Sequence, residues 1–240
     1  MIDRRRFAKG LVLTGCAGMA GFYLGACKDE VDTSIPSSLK DGKVFFKLSL
    51  AQWSFHKALQ SGSMDNLDFA SKAKSLGFEG IEYVNQFFKD KAKNNMYLHQ
   101  MNVRAKSAGI EQLLIMIDGE GSLATPDSKE LKQSVDNHRK WIDAASALGC
   151  HSIRVNCFGV GTSEDVAAAG IDGLSMLSEI ATTQNINVIV ENHGGYSSDG
   201  QWMSSVIEKV NMDNCGTLPD FGNFCIEREG GAMWGTPCIK

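Results

Sequence analysis

Short apolar runs alternate with amphipathic helical stretches along most of this chain, and the unit recurs at intervals of roughly 30 to 40 residues. Runs at Phe46–Ala51, Gly80–Val84, Gln112–Ile117, Ser152–Asn156, Asn187–Glu191 and Cys215–Asp220 read as strands. Between them, Met64–Leu76, Asn95–Ala108, Ser128–Leu148, Ser163–Thr183 and Gln201–Val210 carry apolar residues at helical spacing. Leu131, Val135, His138, Ile142 and Ala145 form the clearest stripe, and Gly149 follows as a stop. Strands that are apolar throughout are expected to be covered on both faces, which points to parallel strands with helical crossovers. The content of hydrophobic residues, 43%, is enough for a substantial core.

A doubly wound sheet and a (β/α) barrel share this pattern. Two features favour the barrel. Polar residues recur where the runs end: Gln52, Glu82, Asp118, Asn156, Glu191 and Asp220. The turn after the first run also lacks the Gly-x-Gly-x-x-Gly dinucleotide fingerprint. The expected fold is α/β, an incomplete (β/α)8 TIM barrel over residues 44–240. It would have about six of the eight βα units.

The first residues read as an address. Residues 1–27 combine Arg4-Arg5-Arg6-Phe7-Ala8-Lys9 with an uncharged stretch too short and too rich in Gly and Ala to span a bilayer well. Arg-Arg-x-Phe-x-Lys resembles a twin-arginine export motif, and Leu24-Gly25-Ala26-Cys27 resembles a lipobox in which Cys27 is acylated. Residues 28–43 are polar and read as a flexible tether. The expectation is an exported lipoprotein, in the periplasm or on the outer membrane or cell surface, with a lipid anchor to the membrane. The net charge of −4 and the absence of a basic cluster beyond the start argue against nucleic acid as a partner. Cys150, Cys157, Cys215, Cys225 and Cys238 show no Cys-x-x-Cys spacing, which argues against a zinc ribbon or a thioredoxin-like motif. A disulfide among them stays open.

Glu191 and Asp220 carry the chemistry. Each closes an apolar run and is followed by a glycine-containing turn, Asn192-His193-Gly194-Gly195 and Phe221-Gly222-Asn223. A carboxylate at the carboxyl end of a buried strand is costly unless a cation or hydrogen bonds offset it. Alternation puts Ile189 and Glu191 on one face, with His193 beyond them. Oxygen ligands suit Mg²⁺ or Mn²⁺, and an added imidazole would also suit Zn²⁺ or Co²⁺. Trp53 reads equally as core or as a platform for a sugar.

Three segments together resemble the xylose-isomerase-like TIM barrels, the sugar isomerases, epimerases and sugar phosphate isomerase/epimerase relatives. They are Gly77-Phe78-Glu79-Gly80-Ile81-Glu82, Val190-Glu191-Asn192-His193-Gly194-Gly195 and Pro219-Asp220-Phe221-Gly222-Asn223. The resemblance runs from about Lys47 to Asn223. It implies one divalent metal ion, with Glu191 and Asp220 as two of its ligands and a His and a Glu on two later strands as the others. It further implies proton abstraction next to a sugar carbonyl through an enediolate, with Glu191 as a catalytic acid or base. His193, Asn223, Glu82 and Asn156 would contact the carbohydrate. Impaired activity is the consequence if the last two strands are missing, and open edge strands would then invite a homo-oligomer. The rival readings are a non-catalytic surface carbohydrate-binding lipoprotein and a keto-glycoside lyase or hydrolase on the same barrel.

Overall fold

The structure is a computed structural model and describes residues 46–227 and Cys238. The proposed signal, Cys27 and the tether lie outside the described residues. Among the described residues six strands form one sheet in sequential order: β1 (Ser49–Ala51), β2 (Gly80–Val84), β3 (Glu111–Met116), β4 (Ser152–Asn156), β5 (Asn187–Glu191) and β6 (Cys215–Leu218). Every neighbouring pair is parallel. The described helices are α1 (His56–Gln60), α2 (Phe69–Ser75), α3 (Asn95–Ala108), α4 (Ser128–Ala147), α5 (Ser163–Thr182) and α6 (Gly200–Val210). This is a partial TIM barrel, with β1 and β6 as the edges of the described sheet.

Local chemistry explains the boundaries. Asp127, Thr162 and Asp199 cap α4, α5 and α6 by accepting backbone N–H bonds of the first turn. Gly109 ends α3 in the left-handed conformation. The helix expected from Met64 begins later, because the Asp65 side chain accepts from Leu67 N and sets a 3-10 turn over Asn66–Asp68. The first strand is shorter than expected: Phe46, Lys47 and Leu48 are exposed at the sheet edge. Pro219 has no N–H to extend the β6 ladder, so Asp220 stands just past the strand.

The core lies between the sheet and its helices. Ile81, Tyr83, Ile115, Ile153, Val155, Val188 and Val190 face outward against Trp141, Ile142, Leu174, Leu177 and Val206. The helical stripes read from sequence are these buried faces. Alternation sends the other strand residues inward, where Val84, Leu114 and Met116 pack with Ala51, Phe87, Ile189 and Leu218. That small apolar plug is the floor of the site. Register places Asn156 beside Glu191, and Glu191 beside Leu218, at the carboxyl end of the sheet.

Candidate functional site

A cavity of about 580 Å³ opens at that end, lined by Ala51, Trp53, Gln86, Met116, Asp118, Arg154, Glu191, His193, Asp220 and Asn223. Glu191 and Asp220 meet in it on one amide. Asn223 Nδ2 donates to Glu191 Oε1 at 3.2 Å and to Asp220 Oδ2 at 3.1 Å. The turn after β6 is built to hold this geometry. Asn192 Nδ2 donates to the Asp220 carbonyl at 2.8 Å, and Asp220 N donates to Asn192 Oδ1 at 2.7 Å. Gly222 N donates to Asp220 Oδ1 at 2.7 Å, turning the chain so that Asn223 is buried against both carboxylates.

Arg154 organises the rest. Its side chain is only 6% exposed. Nη1 donates to Asp118 Oδ1 at 2.8 Å, and Nε lies 2.6 Å from Glu191 Oε2. One guanidinium thus ties the ends of β3 and β5 across β4. Asn156 Nδ2 adds a bond to Asp118 Oδ1 at 2.9 Å. The two carboxylates respond differently. Burial pushes the Glu191 carboxyl up, and the nearby charges of Asp220 and Asp118 add to it. The opposing charges of Arg154 and His193 do not cancel that rise. Burial also favours the neutral form of Asp118, but Arg154, by charge and hydrogen bond together with Asn156, outweighs it and holds Asp118 below the usual carboxylate range.

Glu191, Asp220, His193 and Asn223 all line the cavity. The His193 N–H donates to Ser197 Oγ at 3.0 Å, which fixes the backbone below its exposed ring. Asn156 stands behind the wall, bound to Asp118. Glu82 does not reach the cavity, contrary to the expectation from sequence. It pairs in register with Ala51 and Leu114, and Val84 and Met116 continue the inward face above it. Its Oε1 accepts from Ser49 Oγ at 2.5 Å. Ala51 at the same level does line the cavity, so the cause is the Ser49 bond, which draws the Glu82 carboxylate toward the amino end of the sheet.

Arg154 is the residue that sequence reading missed. Its signal was a lone charge inside the strand Ser-Ile-Arg-Val-Asn, which calls for an anionic partner in the fold. Asp118 was visible as a strand-end polar residue but not as the partner of that arginine. Among the cysteines, Cys225 and Cys238 form a disulfide. Burial pushes the Cys150 and Cys157 thiols up to about 12, which marks them as unreactive packing residues.

Comparison with known proteins agrees with this architecture. Residues 70–237 match the family model described as xylose isomerase-like TIM barrel. No curated protein matches the sequence. Among solved structures, D-psicose 3-epimerase from Clostridium cellulolyticum H10 with D-tagatose superposes with a TM-score of 0.62 at 14% identity, covering 76% of this chain and 66% of that one. A D-psicose 3-epimerase in the presence of D-fructose gives 0.60 at 15% identity, covering 73% and 63%. The IOLI protein with a bound zinc atom gives 0.58 at 16% identity, covering 72% and 62%. At such identities the likeness is one of fold, and this chain spans less than two thirds of the length of these three structures.

Proposed function

Since the chain belongs to the xylose isomerase-like TIM barrel family, we propose that it acts on a sugar as an isomerase or epimerase, abstracting a proton next to a carbonyl. One observation carries the proposal: carboxylates from neighbouring strands, Glu191 and Asp220, converge on a single amide in a cavity at the carboxyl end of a parallel sheet. Sugar epimerases with the same fold support it.

A divalent cation held by Glu191 and Asp220 is part of this reading. The Asn223 amide already places a positive hydrogen-bonding edge between one oxygen of each carboxylate, the position that suits a cation. Arg154 engages the second oxygen of Glu191 and leaves Oε1 turned to that point. Among the described residues no cluster of three His, Cys, Asp or Glu side chains forms here, so these two supply a partial ligand set. Such an ion, when bound, supplies charge that stabilises a developing enediolate oxygen.

The chain's own residues do the rest. Glu191 takes the proton: it is a buried carboxylate that lines the cavity, fixed by Arg154 on one oxygen with Oε1 turned toward the site. Arg154 keeps its side chain from swinging. Asp220 is pinned by Asn192 and Gly222. Asn223, whose amide hydrogens are held by the two carboxylates, offers its Oδ1 as an acceptor, and His193 a ring nitrogen, to substrate hydroxyls. The decisive experiment incubates the full chain with D-fructose or D-tagatose in deuterated water, with a chelator or with added Mn²⁺. Deuterium incorporation beside the carbonyl that requires the metal is the expected result. Ketose that emerges with no deuterium under either condition removes the proton-abstraction reading.

Export and lipid attachment belong to the same proposal. Cys27→Ser is expected to shift the protein out of the detergent phase in a partition assay on expressing cells. Equal partition of native and variant protein would remove the anchor.

A further inference from the structure

We propose that Trp53, Gln86 and Asp118 form a sugar-ring subsite in the cavity, suited to an uncharged sugar with neighbouring hydroxyls and not to its phosphate ester. The inference deepens the reading above and relies on it for the identity of the site. None of these residues belongs to the Glu191–Asp220 pair.

Asp118 is a carboxylate clamped from behind. Oδ1 accepts from Arg154 Nη1 at 2.8 Å and from Asn156 Nδ2 at 2.9 Å. Its backbone is tied both ways to Asn85: the carbonyl accepts from Nδ2 at 2.9 Å, and the N–H donates to Oδ1 at 3.1 Å. A carboxylate oxygen has two acceptor positions. Oδ2 is met by Gln86 Nε2 at 3.3 Å, a long contact from an exposed side chain that also lines the cavity. The pair presents a fixed acceptor beside an adjustable amide, which two adjacent hydroxyls satisfy together. Pre-positioning the acceptor lowers the cost of ordering it on binding.

Trp53 supplies the apolar element. Its ring is 45% exposed yet held, stacked on His56 with centroids 4.8 Å apart and a 12° interplanar angle, and flanked by Phe87 at 6.1 Å. A rigid aromatic surface beside polar side chains suits the mixed C–H and O–H faces of a sugar ring.

Charge sets the ligand class. The described lining carries three carboxylates, Asp118, Glu191 and Asp220, against the Arg154 guanidinium and the His193 imidazole. Arg154 is already engaged by two of those carboxylates. The loop amides of His193 and Gly194 donate to Ser197 and Ser198 hydroxyls, and Asp199 accepts the first N–H groups of α6. A cation held by Glu191 and Asp220 offsets part of this charge but is taken up by those carboxylates and the sugar oxygens. A phosphate dianion at the Asp118 end therefore still faces a fixed carboxylate, with the loop amides and the α6 N-terminus already occupied.

The test is calorimetric titration of the full chain, native and with Trp53→Ala or Gln86→Ala, using D-fructose, D-tagatose and ketohexose phosphate esters. Both substitutions fall on exposed side chains, so folding is expected to survive and is checked by circular dichroism. Free ketose is expected to bind at least about tenfold tighter than its ester. Trp53→Ala is expected to weaken it by about tenfold or more, and Gln86→Ala by a few-fold. Ester binding as tight as free ketose overturns the ligand class. Unchanged binding in Trp53→Ala, or no ketose binding to the native chain, overturns the subsite. Deuterium exchange in the same samples separates the two claims. Ketose bound at the subsite without exchange defeats proton abstraction alone, whereas exchange untouched by both substitutions defeats the subsite alone.

Discussion

Arg154→Met is expected to lower the stability of the chain by about 3 kcal/mol at neutral pH, the lower end of what removing one partner of a buried ion pair costs. The side chain is 6% exposed and faces Asp118 and Glu191 at 2.8 and 2.6 Å. Methionine fills most of its volume, so the loss comes from leaving two carboxylates against each other and against Asp220. The lower end is appropriate because the Asp118 side chain is 23% exposed and the cavity admits water. The pH dependence follows from the two directions of shift. The lowered pKa of Asp118 contributes stability present above its unfolded value and lost as pH falls through the folded one. The raised pKa of Glu191 works the other way, favouring the fold below its unfolded value and losing that benefit as pH rises through the folded one. Without Arg154 both carboxyls shift upward, so the variant loses stability as pH rises from acid to neutral. Urea unfolding at about pH 4 and about pH 7 should therefore show the gap between native and variant widening with pH. A loss below about 1 kcal/mol, or a gap constant across that interval, contradicts the assignment. Arg154→Lys should recover only part of the stability, because a point charge cannot reproduce a guanidinium fork reaching two strands.

The course of the chain was far easier to read than the wiring of its site. β4, β5 and α3 have the same bounds in sequence and in structure, because their apolar periods are clean and their ends carry caps or polar residues. β1 was overread: Phe46 and Leu48 are apolar by type but exposed at an edge, and type alone does not report exposure. The meeting of Glu191 and Asp220 was legible because both close apolar runs on neighbouring strands, which puts them at one end of the sheet. Glu82 was misplaced by the same logic, since a strand-end rule does not show that Ser49 on the neighbouring strand takes up its carboxylate. The clamp of Asp118, Arg154 and Glu191 joins residues 36 and 37 positions apart, by the differences of their numbers, across three strands. Such a contact depends on register, which no local pattern encodes. The Cys225–Cys238 pairing was invisible for a similar reason, as five cysteines without diagnostic spacing leave every pairing open.

Glu191→Gln is expected to reduce deuterium exchange into ketose by about 10²- to 10⁴-fold, the usual range for removing a general base. Glutamine keeps the shape of the side chain, and its carbonyl oxygen can still accept from Asn223 Nδ2. Arg154 retains Asp118 as a partner, so the fold should lose much less than in Arg154→Met. That difference separates chemistry from structure: two variants of one ion pair, one mainly unstable and the other mainly inactive. Asp220→Asn supplies the control, since Asp220 is assigned to cation binding and not to proton transfer. Its exchange rate should fall at low Mn²⁺ and recover substantially as Mn²⁺ is raised, while Glu191→Gln should stay low at every Mn²⁺ concentration. Recovery of both variants with added metal would reassign Glu191 to metal binding alone and leave the proton to another group in the cavity. Recovery of neither, with both variants folded, would mean that the two carboxylates act as one unit whose halves cannot be told apart by charge removal.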